Sequence, residues 1–237
     1  MNGSAPPAVS VPAGPRPDGA YDIGDELAVA ALVLARRFNG GATLWSVAPG
    51  RDDHARHVAV EFVHPVIVGS PSLAGLAITG TDLVDQCRLN IRIGDVLLLI
   101  GEADCVPLAA IAARARAWGA TTVWLCIGDR PEPGAADAVV SGAQESDVIR
   151  SYHLLWELCH VCLQHPEVLS VAETQTSDTC AVCSDGANLA EVTSTGEHPM
   201  VRLRTSCGPA QAFDLLGDVE VGELVVVHAA TVIGRHL

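Results

Sequence analysis

The chain has 237 residues, 49% of them hydrophobic and 18% charged, which excludes wholesale disorder and allows one large domain or two small ones. Fourteen cations, all of them arginine, face 28 carboxylates for a formal net charge of −14. Such a chain repels nucleic-acid phosphates and anionic membrane surfaces alike.

The longest apolar run is Leu27 to Ala35, far short of the roughly 20 residues that a membrane span needs. No basic stretch followed by an apolar one opens the chain. Eight cysteines without an export signal predict reduced thiols and a cytoplasmic location. Residues 1–20 are rich in Pro, Gly, Ala and Ser and are expected to form a tail without a core. From Asp25 to Phe38 the order of charges, acidic first and Arg36-Arg37 last, suits a helix dipole. Asn39-Gly40-Gly41 ends that helix.

Ala42 to Val47 reads as a strand and Asp52 to Phe62 as a helix with Val58 and Phe62 on one face. Val96 to Ile100 is a continuous apolar run suited to a buried parallel strand. Val106 to Trp118 reads as helix, Thr121 to Ile127 and Ala138 to Val140 as strands, and Ser146 to Gln164 as a long helix stopped before Pro166. Strands alternating with helices predict a parallel sheet covered on both faces.

Beyond a polar linker at Val171 to Asp178 the texture changes. Short alternating spans at Ala190–Thr193, Met200–Leu203, Ala212–Leu215 and Leu224–His228 are separated by turn residues, the pattern of a small β-barrel or sandwich. These shifts divide the chain into a tail (1–20), an α/β domain (21–168), a linker (169–178) and a β domain (179–237).

Two segments carry resemblances. Cys183-Ser184-Asp185, Phe213 to Gly217 and the Val221-Gly222 to His228-Ala229 ending together resemble the HypC/HupF family of hydrogenase-maturation chaperones, over almost the whole β segment. That resemblance implies a small OB-like barrel, a non-enzymatic scaffold for the Fe(CN)2(CO) fragment of nickel–iron hydrogenases, and docking on a HypD-type protein and the large-subunit precursor. It places transient iron on Cys183, with His228 and Cys180 beside it.

The segment from Asp22 to Leu163 is similar to sugar isomerase (SIS) domains of the phosphoheptose isomerase group. The similarity rests on Asn39-Gly40-Gly41, His57 with Glu61, Gly94-Asp95 before the apolar strand, and Ile149 to His153. It implies flavodoxin-like layering and a homo-oligomer formed through helices. The turns that hold sugar phosphate in that group read Ala48-Pro49-Gly50-Arg51 and Gly101-Glu102-Ala103-Asp104, and its later metal and base positions fall on Arg150 and Leu158. Carboxylates in a phosphate turn are electrostatically adverse, so the isomerase chemistry is expected to be lost.

Among the remaining constellations, Cys159-x2-Cys162 and Cys180-x2-Cys183, seventeen residues apart, have zinc-site spacing. The first pair falls inside a predicted helix, where buried thiols are the simpler expectation and structural zinc the less favoured one. His57 and Glu61, four residues apart, can share a metal or position a base, with Asp53, His54 and His64 nearby. Taken without a partner from the last helix, they are expected to line a polar pocket. His153, set among Leu154, Leu155 and Trp156, is expected to be a satisfied core or pocket histidine. The leading expectation is thus a maturation chaperone; the alternative is a phosphosugar isomerase or phosphosugar-binding sensor with an auxiliary β domain.

Overall fold

A computed structural model describes residues 22–64, 71–142, 144–170, 186–196 and 199–236. Its first half runs α1 (Ile23–Asn39), β1 (Leu44–Val47), α2 (Asp52–Val63), β2 (Gly75–Ile78), α3 (Leu83–Asn90), β3 (Val96–Glu102), α4 (Val106–Trp118), β4 (Thr121–Ile127), β5 (Ala138–Gly142), α5 (Glu145–Gln164) and the short α6 (Pro166–Leu169). All strand pairings are parallel, in the order β2-β1-β3-β4-β5.

Alternation along β3 shows how the sheet is covered. Val96, Leu98 and Ile100 face a core shared with α1, α2 and α5, while Leu97 and Leu99 face α3 and α4. Side chains of a strand point alternately to its two faces, so a strand buried on both faces reads as one apolar run. Helix ends follow their local signals. The Asp22 carboxylate accepts from the Gly24 amide at 2.8 Å to cap α1, and Gln144 with Asp147 forms a capping box on α5.

β2 and α3 have no counterpart among the elements expected from sequence. β2 is a four-residue edge strand with only Gly75 and Ile78 buried, too little apolar sequence for a strand signal. α3 buries only Leu83 and Cys87. Gly75 is required where it sits, because a Cβ there would lie 3.0 Å from the Ala59 carbonyl oxygen of α2.

The second half is a closed barrel of β6 (Asn188–Thr195), β7 (Met200–Thr205), β8 (Gly208–Asp214), β9 (Leu224–His228) and β10 (Thr231–Arg235), in the order β10-β8-β7-β6-β9. Small side chains fill it, Val192, Val201, Val225, Val227 and Val232 among them. β10 is the strand absent from the sequence reading. The turn into it, Ala229-Ala230, takes φ of +45° and +59° with neither Asn nor Gly to mark it.

The two halves meet around one buried carboxylate. Glu191 on β6 is 0% exposed. It accepts from Arg88 Nε of α3 at 2.9 Å and from Trp118 Nε1 of α4 at 2.7 Å, and lies 3.3 Å from Arg114 Nε. Arg204 of β7 stands over the Trp118 ring and donates to the Arg88 and Ile91 carbonyls at 2.6 Å each. The barrel is therefore bound to the α3–α4 face, leaving the α1–α2–α5 face clear of it. Among the described residues no helix is long and apolar enough to cross a membrane.

Candidate metal centre

On that opposite face α2 presents His57 and Glu61 one helical turn apart, and α5 presents His153 against them. His153 Nδ1 lies 2.5 Å from Glu61 Oε1, and His57 Nε2 lies 3.9 Å from Glu61 Oε2. The two imidazole rings meet edge-on at 5.1 Å. Glu61 is only 10% exposed at its side chain, and its Oε2 is buried without a hydrogen-bond partner. Buried carboxylate oxygens are costly to leave unpaired, so this atom is the strongest local sign that something else completes the group.

One ligand atom from each of His57, Glu61 and His153 lies within 4.8 Å of the others. A tetrahedral zinc with bonds near 2.1 Å needs its ligands about 3.4 Å apart, so the three side chains would close by about 1 Å on binding it. Two imidazoles and a carboxylate are a suitable donor set for zinc and leave a coordination position open to solvent or substrate. The group opens on a groove of about 530 Å³ whose other walls include Asp53, Arg56, Val60 and His64. A larger cavity, about 650 Å³, lies between α4, the β4–β5 connection and the barrel. Its walls mix alanines with Trp124, Arg116, Glu132 and His236, and its Asp137 is committed to Thr122.

A polar chain leads away from the centre. Tyr152 packs its ring against His57 and His153 at 5.5 and 4.8 Å. Burial, with help from Glu61 and Glu145, raises its phenol pKa. Its hydroxyl lies 3.4 Å from His54 Nδ1, and His54 Nε2 lies 2.7 Å from Glu145 Oε1. Glu145 is in turn 3.8 Å from Arg51 Nε.

Arg51 follows β1 and Glu102 ends β3. The neighbouring strands β1 and β3 mark the point where chain order reverses in the sheet, the crevice in which open α/β sheets hold ligands. Arg51 and Glu102 close it with a bidentate ion pair, Nη1 to Oε2 at 3.0 Å and Nη2 to Oε1. The hydrogen bond from Arg51 holds the Glu102 carboxyl below the ordinary carboxylate range, and the same bond raises Arg51.

Other candidates are placed differently. Cys180 and Cys183 lie outside the described residues. His228 ends β9, in register with Thr231, and its ring has no hydrogen bond or ion pair among the described residues. Cys159 is fully buried, its thiol pKa pushed up by desolvation, and Cys162 packs half-buried beside the same core. Both belong to a continuous α5, as the core reading expects. Arg150 points outward toward Asp147 at 3.6 Å, and Leu158 packs on the core. The expectation that the last helix offers His57 and Glu61 no partner is corrected: His153 supplies it. A histidine interrupting an apolar helical run was the available signal, but the run itself favoured a core reading.

No family model matches the chain, and no curated protein matches it. Among solved structures it is similar to a phosphoheptose isomerase from Francisella tularensis, with 15% identity over 59% of this chain and 85% of that one and a TM-score of 0.50. The phosphoheptose isomerase GmhA from Neisseria gonorrhoeae aligns at 16% identity over 59% and 85%, TM-score 0.47. HobA from Helicobacter pylori aligns at 10% over 62% and 82%, TM-score 0.43. The first of these shows that the α/β half has the SIS fold.

The hydrogenase-maturation role expected of the chain is overturned. Its structural likeness is to a phosphoheptose isomerase, not to a hydrogenase-maturation chaperone. The Fe(CN)2(CO) fragment, the HypD-type protein and the large-subunit precursor are withdrawn with it.

Proposed function

We propose that the chain is an SIS-type protein acting on a sugar phosphate by aldose–ketose isomerisation at the His57–Glu61–His153 centre. The observation that carries this reading is the buried, unpartnered Glu61 Oε2 facing two imidazoles at a groove. The shared fold adds an analogy and no more.

A divalent cation held by the three residues would polarise the sugar carbonyl as a Lewis acid. The chain's own part is proton handling. With His57, His153 and one oxygen of Glu61 holding the cation, the other Glu61 oxygen would take the proton from the hydroxyl-bearing carbon next to the carbonyl. Returned to the former carbonyl carbon, while the hydroxyl proton passes to the former carbonyl oxygen, that proton completes the exchange of hydroxyl and carbonyl, and no atom is gained or lost. Tyr152, His54 and Glu145 connect the centre to the crevice by hydrogen bonds and ring contacts.

The test is deuterium wash-in, followed by NMR, on fructose 6-phosphate and sedoheptulose 7-phosphate in zinc-supplemented heavy water. Exchange at the carbon next to the carbonyl, lost in Glu61→Gln, is expected. Binding heat without exchange would make the chain a sugar-phosphate sensor, and neither heat nor exchange would overturn the proposal.

A further inference from the structure

The cavity between the two halves lies on the opposite side of the sheet from the metal centre, and its walls are of another kind. We propose that it binds a free α-amino acid with a large apolar side chain, held across the junction of sheet and barrel. The site is independent of the sugar-phosphate reading.

At about 650 Å³ the cavity has the size of a small-molecule site, and such sites favour domain boundaries. One wall is the face of α4 that carries Ala109, Ala112 and Ala113, spaced to lie together along the helix. The β4–β5 connection stands opposite, and the barrel closes the space with Leu189 of β6 and Val226 of β9. A methyl group is all that each alanine puts into the space, so room for a ligand remains.

The wall made by the β4–β5 connection is braced at both ends. The Cys126 thiol reaches the Asp129 carbonyl at 2.8 Å, and the Gly128 amide donates to the Gly142 carbonyl at 2.8 Å. At the far end Asp137 accepts from the Thr122 amide and hydroxyl at 2.7 and 2.9 Å. A wall fixed in advance spares the ligand the cost of ordering it.

Polar groups of the floor are already engaged. Trp124 is 1% exposed and donates its indole N–H to the Gly101 carbonyl at 3.1 Å. Three ionisable side chains remain: Arg116 of α4, Glu132 of the connection and His236 beyond β10. None of them makes a side-chain hydrogen bond or ion pair among the described residues. Opposite charges that line one cavity without meeting suit a ligand that carries both signs. A carboxylate fits the fork of Arg116, with His236 as a further donor, and an ammonium fits Glu132. The side chain then lies on the alanines, Leu189 and Val226. A phosphate dianion would face Glu132 and Asp137, and a purely apolar ligand would cover charges without pairing them.

Calorimetry on the full chain tests this with L-phenylalanine, L-phenylalaninamide and 3-phenylpropionate. They carry both charges, the ammonium alone and the carboxylate alone. L-Phenylalanine should bind with a Kd below about 1 mM and at least about threefold more tightly than either of the others, as partly exposed ion pairs allow. Arg116→Gln should erase its preference over the amide, and Glu132→Gln its preference over 3-phenylpropionate. Ala113→Leu fills the cavity and should abolish binding of all three. Each of these positions is exposed, so the variants should keep the wild-type denaturation midpoint. Fructose 6-phosphate should not compete. Binding of L-phenylalanine no tighter than that of its amide or of 3-phenylpropionate would overturn the proposal. So would affinity that survives Ala113→Leu, preferences unchanged in the Arg116 and Glu132 variants, or competition by fructose 6-phosphate.

Discussion

Glu191 offers the sharpest test of how the two halves hold together. Replacing it by Ala removes the carboxylate that Arg88, Arg114 and Trp118 share across the junction. Losing one partner of a buried ion pair costs about 3–5 kcal/mol because the remaining charge is left uncompensated. Here the arginines are 29% and 23% exposed at their side chains, so water recovers part of that and places the ion-pair loss near the lower end. The indole N–H of Trp118, fully buried, loses its acceptor as well, a cost of about 1–3 kcal/mol that overlaps with the first. A total of about 3–4 kcal/mol follows, a large share of the 5–15 kcal/mol typical of a folded protein. Glu191→Gln keeps an acceptor for Trp118 and loses the charge, so it should cost about half as much. Urea denaturation measures both variants, and hydrogen exchange should localise the change to α3, α4, β6 and β7. A loss below about 1 kcal/mol for the Ala variant, or equal losses for Ala and Gln, would refute the reasoning.

Other consequences follow from particular positions. Replacing Ala229-Ala230 by Asn-Gly relieves two positive φ values and should raise stability by about 0.5–1 kcal/mol, read from the denaturation midpoint. Gly119 ends α4 at φ +71°, and a Cβ there would lie 2.8 Å from the Ser206 carbonyl. Gly119→Ala should therefore cost at least about 1 kcal/mol and loosen the barrel contact, visible as faster exchange at Ser206 to Gly208. The folded-state pKa of Glu102 is depressed by Arg51, so the pair's small contribution is present above the ordinary carboxylate pKa and is lost as pH falls through the depressed value. The acid limb of a stability–pH curve should be shallower in Glu102→Gln than in the wild type. An identical limb would show that the pair does not persist in solution.

Much of this architecture was legible in the chain because the buried strands announce themselves. Val96 to Ile100 and Thr121 to Ile127 are buried on both faces, and the first and last long helices carry charge order and stops at Asn39-Gly40-Gly41 and Pro166. Edge elements were not legible, since β2 and α3 bury two residues each and leave the rest to solvent. β10 escaped for a different reason: its turn uses alanine where the backbone favours Asn or Gly. At the site, His57 and Glu61 are local partners and can be read from their spacing, whereas His153 is 92 residues from Glu61 and joins it only through the packing of α2 on α5. The Arg51–Glu102 pair is similarly nonlocal. Their turns suggested a poor phosphate site, but only the fold shows the carboxylate bound to the arginine. The C-terminal run Val225 to His228 forms β9, with Val225 and Val227 packed in the barrel core, so barrel packing alone accounts for its apolar residues.

The central claim is that His57, Glu61 and His153 form one metal centre, and cobalt titration tests it most directly. Cobalt(II) substitutes for zinc in nitrogen and oxygen sites and reports its own coordination through visible ligand-field bands. Added to the metal-free full chain, one equivalent should bind with bands of a low-coordinate nitrogen–oxygen site, displaced by zinc, and both bands and affinity should fall at least about tenfold in His153→Ala. The same spectrum and affinity in His153→Ala, His57→Ala and Glu61→Gln would contradict the claim.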